Sequence, residues 1–148
     1  MQISQILTSE RILTDAPDRS KKAALETLAT LIAGADPGLT QTEVFNSLIS
    51  RERLGSTGLG QGIALPHGRL KNGKLTLGAF VRLESGIDFD AVDHKPVDLL
   101  FALLVPEEST DEHLKILSQL AELFSQPEIL NRLHTEQSKD GILSILTG

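Results

Sequence analysis

The first third of the chain carries apolar residues at helical spacing, and this pattern predicts two helices. The first helix covers residues 18–33 and ends where Gly34 and Pro37 interrupt the pattern. Thr40 begins the second helix, with Glu43 completing a capping box, and that helix is expected to end near residue 51 or 52. The residues expected to face the core are Leu25, Leu28, Ala29, Ile32, Val44, Phe45, Leu48 and Ile49.

In the middle of the chain the pattern changes to short runs and alternation that are typical of strands. Residues 63–65 form a short apolar run before Pro66, which favours extended backbone at the preceding position. Residues 75–83 alternate, which predicts a half-buried strand. Residues 97–105 are almost continuously apolar, as in a strand covered on both faces. The apolar face of the alternating strand comprises Leu75, Leu77, Ala79, Val81 and Leu83.

Helical spacing returns after Pro106. Ser109 and Glu112 form a further possible capping box, Pro127 begins a short helix, and residues 138–146 predict a last one. Strands between two groups of helices predict a single α/β domain over residues 1–148, with a β-sheet sandwiched between helical layers. The residues expected to share the inner face of the helix after Pro106 are Leu117, Leu120, Ala121 and Phe124.

Charge and composition narrow the function. With 14 basic against 20 acidic residues the 148-residue chain carries a net charge of −6, so the basic footprint of a general nucleic-acid binder is missing. The absence of cysteine excludes a disulfide scaffold, a thiol nucleophile and thiolate metal sites. No N-terminal stretch has the pattern of a signal peptide, and the longest apolar run, residues 99–105, is too short to span a bilayer. We therefore expect a cytoplasmic protein without membrane insertion.

Glycines concentrate in the segment that follows the second helix, between residues 55 and 62. Backbone amides in such a loop can form an anion-binding concavity, although a tight structural turn is the alternative interpretation. The segment lacks the lysine of a Walker A loop and matches neither G-x-G-x-x-G nor G-x-S-x-G. Neither a nucleotide-hydrolysing enzyme nor a serine hydrolase is supported.

His67 lies between Pro66 and Gly68, so its backbone is restricted on one side and permissive on the other. This setting can present an imidazole at the end of a strand for catalysis, and a surface or structural histidine is the alternative. Three arginines nearby favour catalysis because guanidinium groups pair with phosphate oxygens, although each can equally be solvated surface charge. They are Arg51, Arg53 and Arg69.

The other histidines are His94, His113 and His134, which are far apart and lack metal-ligand spacing, so they predict no metal or other cofactor, although a zinc site gathered from distant segments stays open. His113 falls in the first turn of the predicted helix after Pro106. There the helix dipole disfavours imidazole protonation and favours a nearby anion. An exposed histidine beside a helix cap is the alternative.

The run from Gly55 to Arg69, with Pro66-His67-Gly68 near its end, resembles the enzyme IIA proteins of the bacterial phosphotransferase system, in the fructose/mannitol-type superfamily. Residues 96–106, followed by Glu112-His113-Leu114, are similar to the nitrogen-regulatory branch. The resemblance covers nearly the whole chain and implies a mixed sheet flanked by helices.

The resemblance also implies a phosphoryl-transfer component with a phosphohistidine intermediate on His67 and no small-molecule turnover of its own. Arg51 would stabilise charge on the phosphoryl oxygens, and His113 would support the transferred group. The implied donor is a histidine-phosphocarrier protein charged from phosphoenolpyruvate, and the implied targets are regulatory proteins. Groups of the glycine-rich loop that would add hydrogen bonds are Ser56, Thr57, Gly58 and Gly60.

Two other functions stay open beside nitrogen-related regulation. One is the IIA component of a fructose- or mannitol-type sugar transporter, which is disfavoured because no membrane or IIB-like segment accompanies the domain. The other is a docking module of the same fold in which His67 is never phosphorylated.

Overall fold

The structure of the protein, a computed structural model, describes residues 2–71, 73–108 and 110–148, without the side chains of residues 110, 112 and 113. Two short 3-10 helices, Ile3–Gln5 and Ser9–Arg11, precede the first strand. The strands are β1 (Ile12–Ala16), β2 (Gly58–Gly60), β3 (Ile63–Ala64), β4 (His67–Leu70), β5 (Leu77–Ile87) and β6 (Val97–Pro106). The helices are α1 (Lys21–Ala33), α2 (Gln41–Glu52), α3 (Thr110–Phe124), α4 (Pro127–Thr135) and α5 (Lys139–Thr147).

The helix caps largely follow the sequence. Thr40 and Glu43 form the predicted capping box, in which each side chain accepts from the other residue's backbone N–H at 3.2 Å. α1 begins three residues later than predicted, because Ser20 is extended and its hydroxyl caps the N–H of Ala23 at 3.1 Å. The predicted helices after residues 127 and 138 are confirmed. The capping box predicted at Ser109 and Glu112 lies outside the described residues.

The described strands form one mixed sheet in the order β1-β5-β6-β3-β2, with β4 also paired to β6. β5 runs antiparallel to β6 along one edge, whereas β3 and then β4 run parallel to β6 along its other edge. Only the short stretch 65–66 separates β3 from β4. A single strand, β6, therefore supports both segments that lead into and out of His67.

Helices cover both faces of this sheet, as predicted. α1 and α2 pack on one face, and α3, α4 and α5 pack on the other, where the Phe101 and Phe124 rings lie 6.1 Å apart. Burial on both faces of β6 is confirmed. No helix within the described ranges combines the length and the apolar composition needed to cross a bilayer.

The alternating strand needs a correction. Leu77, Ala79, Val81 and Leu83 do share one buried face, but β5 is not half-buried, because α3, α4 and α5 cover its other face as well. Leu75 lies before the strand and is 54% exposed. On α3, Ala121 is exposed rather than inward, and the buried residues are Ile116, Leu120 and Phe124.

Candidate functional site

His67 is the first residue of β4, at the point where the chain rejoins the edge of β6. It lies opposite Leu103, whose N–H donates to the carbonyl of Pro66 at 2.9 Å. The half-buried ring places Nδ1 2.8 Å from the carbonyl oxygen of Leu65. Because a carbonyl only accepts, Nδ1 carries the proton and the lone pair lies on Nε2.

The surroundings of His67 favour its neutral form. Burial lowers the pKa of the imidazole, and the positive charges of Arg51 and Arg69 lower it further, whereas the bond to Leu65 and the charge of Glu52 act in the opposite direction. The net shift of this pKa is downward. A histidine with a lowered pKa keeps its Nε2 lone pair at neutral pH, as a nucleophile requires.

Close packing of α2 against β4 brings Arg51 to the site. A Cβ at Gly68 would lie 3.0 Å from the backbone of Ser47, so only glycine permits this approach. The Ser47 hydroxyl then donates to the carbonyl of Arg69 at 2.8 Å. The close contact draws the last turn of α2, and with it Arg51, toward His67.

Arg51 is fixed in place by the glycine-rich segment, since its Nη1 donates to the carbonyl of Gly55 at 2.8 Å. Arg69 is exposed, with Nη1 3.3 Å from the carbonyl of Glu107. Arg53 is the exposed C-cap residue of α2 and lines neither cleft at His67. Of the three predicted arginines, Arg51 therefore lies in the site, Arg69 at its margin and Arg53 outside it.

Two clefts meet at Arg51 and His67, which line both of them. One, of about 620 Å³, has a mixed lining that includes the polar residues Asn46, Ser50 and Arg69. The other, of about 430 Å³, is mainly apolar. Its walls include Leu59, Leu65, Val92, Leu117 and Ala121. The imidazole thus has charge-stabilising groups on one side and an apolar surface on the other.

Residues 56–58 of the glycine-rich segment use side-chain and backbone donors in hydrogen bonds within the protein. Ser56 donates its hydroxyl to the carbonyl of Phe89 at 2.7 Å and accepts from the N–H of Gly58 at 3.0 Å. The buried Thr57 gives both its N–H and its hydroxyl to Glu52. Ser56, Thr57 and Gly58 therefore use these donors to fix the shape of the loop, and their predicted contact with a phosphoryl group stays a prediction.

Gly60 ends β2 and begins the turn into β3, with a φ of +90° that favours glycine. That turn sets the two short strands side by side, with Gly58 opposite Ala64. Gly60 thus forms part of a tight structural turn, and its predicted contact with an anion stays a prediction.

Glu52 is the site residue that the sequence reasoning missed. Its carboxylate is buried at the end of α2, with a relative exposure of 5% for the residue. A signal was present, because Glu52 continues the i, i+4 row of Val44 and Leu48 on the inner face of the helix.

The remaining histidines are His94, His113 and His134, and the side chains of His94 and His134 are described. His113 falls in the first turn of α3, with its side chain outside the described residues, so its predicted role stays a prediction. His134 bonds both carboxylate oxygens of Asp98 at 3.0 Å, and His94 lies in an exposed turn. Over the described side chains, no group of three or more potential metal ligands is found.

Comparison with known proteins gives a consistent picture. The family model for the phosphoenolpyruvate-dependent sugar phosphotransferase system, EIIA 2, matches residues 5–148. The chain is 42% identical to a nitrogen regulatory protein of Pseudomonas aeruginosa over 146 residues, covering 99% of this chain and 95% of that protein. It is 43% identical to a nitrogen regulatory protein of Escherichia coli (strain K12) over 148 residues, covering 99% and 90%. The crystal structure of nitrogen regulatory protein IIA-Ntr from Neisseria meningitidis superposes with a TM-score of 0.93 at 46% identity, covering 98% of this chain and 99% of that one.

Proposed function

The chain belongs to the EIIA 2 family of the phosphoenolpyruvate-dependent sugar phosphotransferase system, and we propose that it accepts a phosphoryl group on His67 and regulates partner proteins through that group. Membership of the family makes it a phosphoryl-transfer component. The relatives at 42% to 44% identity are nitrogen regulatory proteins, which supports regulation over direct service to a sugar transporter. The observation that carries the proposal is the ring of His67, which is held through Nδ1 by the carbonyl of Leu65 at 2.8 Å beside Arg51, where two clefts meet.

The reaction exchanges one P–N bond for another. Nε2 of His67 attacks the phosphorus of a donor phosphohistidine in line, the donor P–N bond breaks, and its electron pair returns to the donor ring. Little covalent chemistry is asked of the protein, so catalysis consists of positioning and charge stabilisation. The proposed donor is a histidine-phosphocarrier protein.

Arg51 is proposed to stabilise the charge that develops on the phosphoryl oxygens. Arg51 lines both clefts at His67, and its bond to Gly55 limits its rotamers. His113 is proposed to support the transferred group as a neutral donor from the first turn of α3.

The apolar cleft supplies the proposed docking surface for the donor and for regulatory targets. Leu59 and Val92, on its rim, are 41% and 73% exposed. Phosphorylation adds about −1.5 to −2 charges beside this surface, by analogy with other phosphorylated side chains. Since the chain already carries −6, we expect at least one partner to prefer the unphosphorylated form.

The test is incubation with radiolabelled phosphoenolpyruvate, the general phosphotransferase enzyme and the carrier protein. We expect an acid-labile, base-stable label on His67. His113→Ala is expected to slow labelling or destabilise the product while the label stays on His67. Peptide mapping that placed the label on His113 would reverse the two roles, and an unlabelled wild-type chain would favour the docking module instead. Onward transfer of the label to a IIB protein would favour the transporter component.

A further inference from the structure

A buried carboxylate that the proposed transfer does not use lies at the end of α2. The side chain of Glu52 is 1% exposed, and its Oε1 lies 3.7 Å from Nζ of Lys21. Thr57 donates to this carboxylate twice, from its N–H at 2.9 Å and from its hydroxyl at 2.8 Å. Removing a carboxylate from water costs several kcal/mol, about what such bonds and an ion pair return, so stability alone does not explain a charged residue at this position.

The bonds that begin at Glu52 lead, step by step, to the imidazole. The carbonyl of Thr57 accepts from the N–H of Leu65 at 3.0 Å. The carbonyl of Leu65 in turn accepts from Nδ1 of His67 at 2.8 Å. Three short contacts therefore connect the end of α2 with the ring, across the start of the glycine-rich segment.

The geometry points to Glu52 as a positioning residue for His67: by clamping Thr57 it holds the Leu65 carbonyl where that carbonyl fixes the tautomer and orientation of the ring. The inference rests on the proposed function, because Nε2, the nitrogen so presented, is the proposed phosphoryl acceptor. Second-layer partners of this kind orient reactive histidines in other proteins as well.

Glu52 acts on His67 by fixing the position of Thr57, not by polarising a single peptide group that both contacts share. The N–H of Thr57 that Glu52 binds and the Thr57 carbonyl that binds Leu65 belong to different peptide groups. The negative charge of the carboxylate also acts to raise the pKa of His67, against the charges of Arg51 and Arg69, which act to lower it. Position and charge are separable, because glutamine keeps the shape of glutamate and removes the charge.

The experiment measures ring tautomer and transfer rate in four variants of the full chain. Nitrogen-15 NMR of the imidazole reports which ring nitrogen is protonated, without any phosphoryl transfer. Glu52→Ala removes the clamp, Glu52→Gln retains an acceptor for the Thr57 N–H, and Thr57→Val removes only the hydroxyl. Glu26→Ala, which removes an exposed carboxylate from α1, is the matched control.

We expect the wild type, Glu26→Ala and Glu52→Gln to keep the Nδ1–H tautomer. Glu52→Ala is expected to give a mixture of tautomers and about a ten- to a hundredfold loss of transfer rate, the scale of effect that misplacing a reacting group by about 1 Å produces. Thr57→Val is expected to shift the tautomer less and to lose about threefold in rate. This partial effect decides the question if Glu52→Ala does not fold.

A wild-type tautomer and rate in Glu52→Ala would overturn the inference, as would the same result in Thr57→Val where the alanine variant does not fold. A mixed tautomer in Glu52→Gln would also overturn it, since charge and not the clamp would then set the ring. A wild-type chain that takes no label while its tautomer still responds to Glu52→Ala would refute the proposed function and leave the positioning role standing.

Discussion

Two buried charges, Glu52 and Arg82, lie on opposite faces of the sheet and are held in different ways. Glu52 binds the backbone and hydroxyl of Thr57, in a segment that leads to His67. Arg82, on β5, donates through Nη1 to the carbonyls of Leu133 and Glu136 at 2.8 and 2.7 Å, where α4 ends. Both residues are nearly inaccessible, with exposures of 5% and 6%.

The two residues differ in where the groups that they bind lie in the fold and in the further hydrogen bonds of those groups. The carbonyls that Arg82 binds are orphans of a helix C-terminus, so this cation fastens α4 to the sheet and complements the helix dipole. Thr57, which Glu52 binds, is hydrogen-bonded to Leu65, whose carbonyl contacts the ring of His67, the proposed phosphoryl acceptor. Burial alone therefore does not distinguish a charged residue that holds two elements together from one that supports a candidate site. The hydrogen bonds of its partners make that distinction.

The largest effect expected is the loss of labelling in His67→Ala. The half-buried ring adds little to packing, so the variant is expected to keep the wild-type melting temperature while the transferred label falls to background. Radiolabel transfer and thermal unfolding measure the two quantities. His94→Asn, which alters an exposed turn histidine, is the control and should label normally. Undiminished labelling of His67→Ala would remove His67 from the active site.

Next in size is the effect of Arg51. A charge-assisted contact to a phosphoryl oxygen contributes about 1.5–3 kcal/mol, so Arg51→Ala should slow transfer about ten- to a hundredfold. Arg51→Lys keeps the charge but not the planar fork, and should recover part of the rate. Arg53→Ala, which removes an exposed arginine nearby, is the control. Transfer rates are measured by single-turnover labelling. Equal rates in Arg51→Ala and Arg53→Ala would make Arg51 a surface charge.

Arg82→Met tests the other half of the comparison. Two carbonyls lose their donor, which should lower the free energy of unfolding by about 1–3 kcal/mol. Transfer measured below the melting transition should stay within about twofold of wild type, since the described partners of Arg82 are Leu133, Glu136 and Asp15 and do not include His67. Urea titration and labelling are the measurements, with the exposed Arg19→Met as reference. A large loss of transfer in folded Arg82→Met would abolish the distinction drawn between the two charges.

The smallest effect expected concerns pH. A histidine with an ordinary pKa of about 6.5 is half protonated at that pH, whereas burial lowers the pKa of His67, so less than about half is protonated there. Between pH 7.5 and 6.5 transfer should therefore fall by less than about twofold, with a steeper loss only at lower pH. NMR titration of the ring, against a histidine in an unstructured peptide, checks the direction. A midpoint above that of the peptide would contradict it.

The sequence predicts most of the regular framework because its signals are local. Periodicity and caps place α2, α4 and β6 well, and the strand predicted at residues 63–65 is confirmed as β3. β1, β2 and β4 escape prediction because they are short, polar or glycine-rich, and pairing with β5, β3 and β6 is what makes them strands. Burial on the second face of β5 depends on helices that come later in the chain.

For the site, sequence motifs lead to His67 and Arg51 but not to the way they are held. The glycine-rich segment was expected to offer open amides, yet Thr57 is turned inward onto Glu52, a long-range consequence of how α2 ends. Equally, only the fold shows that Gly68 permits the approach of Ser47. Residue types indicate the chemistry, whereas orientation arises from contacts between elements that a linear pattern does not contain.

The support of β3 and β4 by the single strand β6 has a consequence for hydrogen exchange. β6 is bonded along both edges and buried on both faces, so its amides should exchange only through global unfolding. The amide of Leu103, which donates to the carbonyl preceding His67, belongs to that slowest group. The amides of residues 59–62, at the turn between two very short strands, should exchange through local opening. The strand that carries His67, the proposed phosphoryl acceptor, is thus paired with the strand expected to open last, so the imidazole should keep its position while the adjacent loop opens and closes.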